Sequence, residues 1–392
     1  MAALTSWTHC VALRASAEIV DYAERPAEKL AGRARATVFA RGRAGAAAYE
    51  VEAALWRPVP GGSGALLIDT EPEPREPPAA PPALPEFARR RGMAVVFVAL
   101  DKLPETVRAQ ALHDLAAHWR KSGGYSRILA VGAGRLADLL ASAADGKAVD
   151  GLLLYRGTAA SPAAPGGPRA IEIFGADAYW GRPPAPPRVE TPDGPARRRF
   201  YLAGLGAPAV AAEAAHCAAP PNPRTAAPAM RALLAALDEW IAKGIAPPAS
   251  RAPRQGGGGL VPARNLRWPT VPGLPAPPRD ARLVPPIDAD GNETAGLRLP
   301  DQALPLGTLT GWNGVKDKAG PACPFGASLP FAATKAEREK SGDPRLSLVE
   351  RYGSRAYFVA TMRVVADRLV KERLLLKEDA DAYVAAAKGA PF

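Results

Sequence analysis

Residues Arg127–Arg135 read Arg-Ile-Leu-Ala-Val-Gly-Ala-Gly-Arg, and this stretch decides the fold class that the sequence predicts. The apolar run Arg127–Val131 is typical of a strand buried on both faces, and small residues join it to a helix-forming segment. In some enzymes a sharp turn of this kind exposes a nucleophilic side chain. At the expected position this chain has Gly132, and neither it nor its neighbours Val131 and Ala133 can attack a carbonyl group.

The composition is that of a globular protein without a nucleic-acid surface. The 392 residues are 47% hydrophobic, enough for a sizeable core, and the 43 Pro and 37 Gly concentrate in loops. The net charge is +11, but the basic residues are scattered. The runs Arg89–Arg91 and Arg197–Arg199 are short and contain no interleaved aromatic residues, so we expect no nucleic-acid partner.

The cysteines and the apolar runs limit which other classes of protein the chain could belong to. Cys10, Cys217 and Cys323 lack metal-ligand spacing, so we expect neither a metal site nor another cofactor, and one disulfide with a leftover thiol stays possible. No apolar run approaches the roughly 18 residues of a membrane span. Because Met1–Ala17 has no basic segment typical of a signal peptide, we expect a cytoplasmic location, with export left open.

Apolar runs separated by helical segments predict a mostly parallel sheet of about eight strands, of which the first are antiparallel. The candidate strands are Ala34–Ala40, Tyr49–Trp56, Gly64–Asp69, Met93–Leu100, Arg127–Val131, Val149–Tyr155, Arg169–Phe174 and Phe200–Ala203. The candidate helices are Leu84–Arg91, Pro104–Lys121, Ala226–Lys243, Ser354–Arg373 and Lys377–Lys388.

The second half of the chain has a different character. Ser250–Pro305 is rich in Pro and Gly but carries scattered large apolar residues, which predicts an extended segment wrapped on the rest of the protein. We expect residues 1–392 to form a single domain. The sheet and its flanking helices occupy 20–245, and the wrap with the closing helices occupies 246–392.

Several ordered motifs carry a resemblance to a known family. They are Tyr179-Trp180-Gly181-Arg182, the run from Asn222-Pro223 to Ser250-Arg251, Thr310-Gly311-Trp312-Asn313, Leu329–Arg338, Gly342–Arg345 and Glu350–Ser354. With these motifs the chain resembles bacterial proteins that have an α/β-hydrolase domain and are distantly similar to esterases and polyester depolymerases. The resemblance implies an α/β-hydrolase fold and acyl-transfer chemistry, in which a Ser attacks an ester, a His accepts its proton and an acid orients the His.

This chain departs from the family at each catalytic position. The family places its Ser in a Gly-x-Ser-Gln-Ser-Gly-Arg turn, where this chain has Ala130–Arg135 with Gly132 at the Ser position. The acid is usually a Glu just before Tyr-Trp, where Ala178 stands, and the His follows an Ala-Gly pair, which points to Ala207. The resemblance therefore predicts a catalytically inactive α/β-hydrolase, a pseudoenzyme with a binding or partner role.

Two alternatives stay open. The chain could be an active esterase that uses displaced residues, for which His216 and Asp177 are the candidates, although a loop residue and a turn or cap residue are the simpler interpretations. It could also bind a small ligand in the remnant pocket. The binding hypotheses require a protein partner or a small ester-like ligand. The sequence does not identify either of them.

Overall fold

A nine-stranded sheet organises the protein, with the order β1-β2-β3-β5-β4-β6-β7-β8-β9. The computed structural model describes residues 19–30, 33–59, 61–71, 73, 83–157, 166–180, 194–207, 214–254, 259–273, 276–277, 279–316, 323 and 325–392. The strands are β1 (Asp21–Leu30), β2 (Arg33–Ala44), β3 (Ala47–Pro58), β4 (Ala65–Asp69), β5 (Ala94–Val98), β6 (Arg127–Ala133), β7 (Gly151–Tyr155), β8 (Arg169–Gly175) and β9 (Arg197–Leu202).

The sheet is antiparallel at its start and parallel from its centre onward. β1, β2, β3 and β5 pair antiparallel, whereas β5 pairs parallel with β4, and all later pairs through β9 are parallel. Every residue of β4 and β5 is buried, as expected for parallel strands covered on both faces. The predicted antiparallel-then-parallel order is therefore confirmed.

Helices cover both faces of this sheet. They are α1 (Leu84–Arg90), α2 (Glu105–Ser122), α3 (Arg135–Ala143), α4 (Asp177–Trp180), α5 (Ala227–Lys243), α6 (Pro300–Ala303), α7 (Lys335–Ser341), α8 (Leu348–Tyr352), α9 (Arg355–Lys371) and α10 (Lys377–Ala387). Apolar residues of α2 and α3 pack on one face of the sheet, while those of α1, α5, α9 and α10 pack on the other. The result is a three-layer α/β architecture.

The sequence explains where the longer helices begin and end. Pro104 precedes α2 and Glu105 lies in its first turn, where a carboxylate is favoured by the helix dipole. Helix α5 ends at Gly244, whose φ of 72° is the left-handed conformation typical of a glycine C-cap. These signals agree with the predicted helices Pro104–Lys121 and Ala226–Lys243 to within a residue or two.

The C-terminal wrap packs on one end of the sheet. It contains two short antiparallel ribbons, β10 (Val261–Pro262) with β11 (Leu283–Val284), and β12 (Gly307–Leu309) with β13 (Ser328–Pro330). Apolar residues of the wrap and of the ends of β8 and β9 share one buried cluster, which includes Trp180, Tyr201 and Trp312.

One strand was not predicted. β1 pairs with residues Arg33 to Arg41 of β2, with an irregularity between Pro26 and Glu28, so the sheet has nine strands where about eight were expected. Its sequence, Asp-Tyr-Ala-Glu-Arg-Pro-Ala-Glu-Lys-Leu, lacks an apolar run and contains a proline, which is typical of an edge strand. None of the helices in the described part of the chain is long and apolar enough to cross a membrane.

Candidate functional site

The segments that follow β6, β7, β8 and β9 meet at one edge of the sheet. These strands are adjacent and parallel, so their carboxyl ends point the same way. The backbone connects the four ends directly: the amide of Gly134 donates to Tyr155, that of Arg156 to Ile173, and that of Ala176 to Leu205, over 2.7–2.9 Å. The crevice outside the carboxyl ends is where open α/β sheets place their ligands.

The sharp turn between β6 and α3 lies at Gly134, two residues beyond the position assigned from the sequence. Gly134 has φ 54° and ψ −125°, and α3 begins at the next residue. A side chain other than glycine is strained at this positive φ, as expected for the residue at the top of a strand-to-helix elbow. A Cβ built on Gly134 would meet no atom of the residues that the structure describes within 4 Å.

Gly132 instead lies inside β6, paired with Leu154 of β7. A Cβ at this position would come within 2.8 Å of Leu140 Cδ1 and 2.9 Å of Thr70 Oγ1. Close packing, rather than turn geometry, is therefore the physical reason for glycine at residue 132. The positive-φ turn conformation therefore belongs to Gly134 and not to Gly132, and both residues lack a side chain.

Ala178 and Asp177 lie in α4, directly after β8. Ala178 is half-buried and packs against the aromatic cluster of the wrap. The Asp177 carboxylate is engaged by Arg156, with Nη2 of Arg156 2.7 Å from Oδ2 of Asp177. Arg156 follows β7 and has a positive φ of 54°, an uncommon conformation for a residue other than glycine.

Ala207 and His216 belong to the segment after β9. Ala207 is half-buried, three residues beyond Gly204, whose φ is 64°. His216 is exposed, and its backbone carbonyl oxygen accepts a hydrogen bond of 3.0 Å from the amide of Lys316. The assignment of Ala178 and Ala207 to the acid and histidine positions stays a prediction.

A buried glutamate that the sequence analysis missed fixes the turn after β9. Glu293 comes from the wrap, is 2% exposed, and accepts hydrogen bonds from Tyr201 Oη, from the Gly204 amide at 2.6 Å and from Trp180 Nε1 at 3.1 Å. Burial raises the pKa of Glu293, although these donors act in the opposite direction. Burial and the neighbouring Glu293 also raise the pKa of Tyr201 well above its usual value.

The carbonyl groups of the same turn are held by two further side chains. Asn222 Nδ2 donates to the carbonyl oxygen of Gly204 at 2.6 Å, and Arg224 Nη1 donates to that of Ala203. Arg224 is itself paired with Asp301, at 2.8 Å and 2.9 Å. The turn after β9 is therefore fixed through both its amides and its carbonyls. The run Asp288–Asn292, just before Glu293, is rich in turn-forming residues and predicts a local turn, but no sequence signal indicates its distant partner Gly204.

A second buried carboxyl group lies at the end of β4. Asp69 is 8% exposed, and burial raises its pKa to about 7. Its Oδ1 accepts the amide of Glu71 at 3.0 Å, and the neighbouring Thr70 donates through both its amide and its Oγ1 to the carbonyl oxygen of Val131. A carboxyl group that is half protonated near neutral pH therefore lies close to the elbow strand.

Cys217 and Cys323 form a disulfide, with their Cα atoms 5.2 Å apart. This answers the question that the cysteine count left open, while Cys10 lies outside the described residues. Within the part of the chain that the structure describes, no group of three or more His, Cys, Asp or Glu residues could hold a metal ion.

Comparisons with known proteins agree with this architecture. Residues 193–385 match the family model described as "Alpha/beta hydrolase domain". Together with a sheet order in which a single crossover exchanges β4 and β5, this match supports the α/β-hydrolase fold that the sequence predicts. A comparison with curated protein sequences finds no match.

Solved structures with a similar fold are distant. An acetyl xylan esterase from Thermoanaerobacterium sp. JW/SL YS485 is 11% identical, with a TM-score of 0.27, and the match covers 35% of this chain and 52% of that one. One from Paenibacillus sp. R4 is 13% identical, with a TM-score of 0.28 and coverages of 39% and 72%. A serine hydrolase without a lid from Xanthomonas campestris is 16% identical, with a TM-score of 0.28 and coverages of 39% and 78%. The first match thus spans about half the length of that relative, and at these TM-scores the assignment rests on the family match and the sheet order.

Proposed function

We propose that this protein is a catalytically inactive α/β-hydrolase that acts by binding, either to a protein partner or to a small ester-like ligand. The observation that carries the proposal is Gly134, which has the backbone conformation of an elbow residue but no nucleophilic side chain. Removal of a complete catalytic triad lowers a hydrolase rate by about 10⁶-fold, or roughly 8 kcal/mol of transition-state stabilisation.

The residues around the elbow support the proposal. Ala178 and Ala207, which follow β8 and β9, have no group that can orient or accept a proton. The nearest carboxylate in sequence to the acid position, that of Asp177, is engaged by Arg156. His216 is exposed beside the disulfide. None of these contacts brings a base to the elbow.

The test is an assay of ester hydrolysis with the purified protein, using p-nitrophenyl acetate and p-nitrophenyl butyrate, together with labelling by a fluorophosphonate. We expect neither turnover above the background rate nor covalent labelling, because the elbow has no hydroxyl group to acylate. Turnover that is abolished in His216→Ala or Asp177→Asn would overturn the proposal and support the esterase that uses displaced residues.

The two kinds of binding are separated by thermal unfolding in the presence of the same esters and their acids. A ligand that binds the folded state raises the unfolding temperature in a concentration-dependent manner. A rise would support the small ligand, and an unchanged temperature up to millimolar ester would support the protein partner.

A further inference from the structure

Three segments of the second half form a hydrogen-bonded strap. We define the strap as residues 216–222 together with 310–316 and 325–328. Hydrogen bonds of 2.8–3.1 Å join its segments through five residue pairs: Lys316 and His216, Ala218 and Gly314, Ala219 and Asn313, Asn222 and Gly326, and Ser328 and Pro220. They therefore behave as one layer.

The strap lies directly on the turns that hold the candidate site. Gly311 touches Ala176 so closely that a Cβ could not be added to the glycine. Gly326 lies over Gly206 in the same way, since a Cβ on Gly206 would be 2.8 Å from the Gly326 amide nitrogen. Ala176 immediately precedes α4 and Gly206 immediately precedes Ala207, so the strap covers the ends of both β8 and β9.

The disulfide joins the two sides of this strap. Cys217, in the first segment, is 2% exposed, whereas Cys323, just before the last segment, is half-buried. The bond links residues 106 positions apart in the chain. A cross-link over so long a separation restricts the motion of segments that otherwise depend on hydrogen bonds.

We propose that the Cys217–Cys323 disulfide is a redox latch that keeps the strap closed over the ends of β8 and β9. A dithiol reductant opens the latch: its thiolate attacks Sγ of the more exposed Cys323, and Cys217 leaves as a thiolate and takes up a proton. The second thiol of the reductant then displaces Cys323 in the same way, so that the reductant becomes a disulfide and the protein gains two electrons and two protons.

The latch makes the opening of the strap over the ends of β8 and β9 depend on the redox state of the compartment. Disulfides persist in oxidising compartments and are rare in the cytosol. The disulfide is therefore formed and the strap closed outside the cell or in a periplasm. In a cytoplasm, the location that the sequence predicts, the disulfide is reduced and the strap can open. This inference concerns the cover over the ends of β8 and β9 and holds whether or not the site catalyses a reaction.

Amide hydrogen exchange of the full-length protein tests the latch. The oxidised protein, the same protein reduced with dithiothreitol, and the variant Cys217→Ser/Cys323→Ser are compared over the first minutes of exchange. In the reduced protein and in the variant, we expect peptides containing residues 203–207 to exchange about tenfold faster, equivalent to about 1.4 kcal/mol in the free energy of local opening.

The strand β4, at the centre of the sheet, is the internal control. Peptides containing residues 65–69 should keep their protection in all three samples, and low urea should leave the rate of 203–207 unchanged, because local opening exposes little surface. Equal rates for 203–207 in all samples would overturn the latch. A parallel loss of protection in 65–69 would also overturn it, because the disulfide would then stabilise the whole fold and not the strap.

Discussion

Gly132 and Gly134 are retained as glycine for different physical reasons. Gly134 has a positive φ and no close neighbour among the described residues, whereas Gly132 is extended and packed against Leu140 and Thr70. Substitution at residue 134 therefore strains the backbone, and substitution at residue 132 overpacks the core.

A double-mutant cycle separates these two causes. We expect Gly132→Ala and Gly134→Ala each to lower the free energy of unfolding by about 1–3 kcal/mol. When each is combined with Leu140→Ala, the effects of Gly132→Ala should be non-additive, since the added methyl group meets Leu140. Urea denaturation measures both cycles, and an additive result for Gly132→Ala would exclude the packing explanation. Gly134→Ala is the matched control and should be additive.

Asp69 gives stability an unusual dependence on pH. Burial raises the pKa of this carboxyl group from 3.8 to about 7, so the folded protein binds a proton that the unfolded chain has released. Its contribution is therefore complete below pH 4 and is lost as the pH rises towards 7, by on the order of 4 kcal/mol. We expect the free energy of unfolding of Asp69→Asn not to show this fall as the pH rises. Urea denaturation of both proteins between pH 4 and 8 measures the difference.

Glu350 provides the opposite control. Hydrogen bonds from Arg338 and Ser347 lower the pKa of this carboxyl group to about 2. Its stabilising contribution is present above pH 4.5 and is lost as the pH falls towards 2. We therefore expect Glu350→Gln to lower the free energy of unfolding above pH 4.5 but not near pH 2. If the difference between wild type and Asp69→Asn were independent of pH, the raised pKa of Asp69 would be contradicted.

At the scale of elements, a buried ion pair fastens the closing helix α10 to the helix α5. Arg231 of α5 and Asp379 of α10 have side chains that are 0% and 1% exposed, and Nε of Arg231 donates to Oδ2 of Asp379 at 3.2 Å. Burial raises the pKa of Asp379, while Arg231 opposes this change. Removal of one partner leaves a buried charge without its counterpart.

This ion pair predicts an asymmetry between single and double variants. We expect Arg231→Met to lower the free energy of unfolding by about 3–5 kcal/mol, and Arg231→Met/Asp379→Leu to be markedly more stable than that single variant. Chemical denaturation monitored by circular dichroism measures both. A double variant that is no more stable than Arg231→Met would show that the helices are held by packing alone.

At the scale of the whole molecule, backbone pairing and buried hydrogen bonds join the wrap to the sheet. The outer edge of β9 pairs with Arg251 and Leu297 of the wrap, and Glu293 joins the wrap to the ends of β8 and β9. We propose, as the sequence suggested, that residues 1–392 form one domain. Elements coupled through buried polar contacts are expected to unfold together.

Calorimetry tests this cooperativity. We expect a single unfolding transition whose calorimetric enthalpy equals its van't Hoff enthalpy, because the wrap cannot leave without exposing the buried ends of β8 and β9. A fragment ending at residue 245 should not fold, whereas a stable fragment or two separate transitions would show two units.

The sequence by itself determined the alternation of buried strands and helices, and with it the three-layer fold. Apolar runs such as Leu66–Ile68 and glycine stops such as Gly244 are local signals, so they can be read without knowledge of the partners. They also predicted the turn after β6 at Gly132, two residues before its position at Gly134.

Only the tertiary structure decided what holds the turns after the neighbouring strands β8 and β9. Glu293 and Cys323 are far in sequence from the turns they hold or cover, and β1 has no apolar pattern because it lies at a sheet edge. Distinguishing Gly132 from Gly134 required the backbone angles and the neighbouring atoms. Long-range pairing and close packing depend on which segments meet in space, and the order of residues in one segment does not encode this.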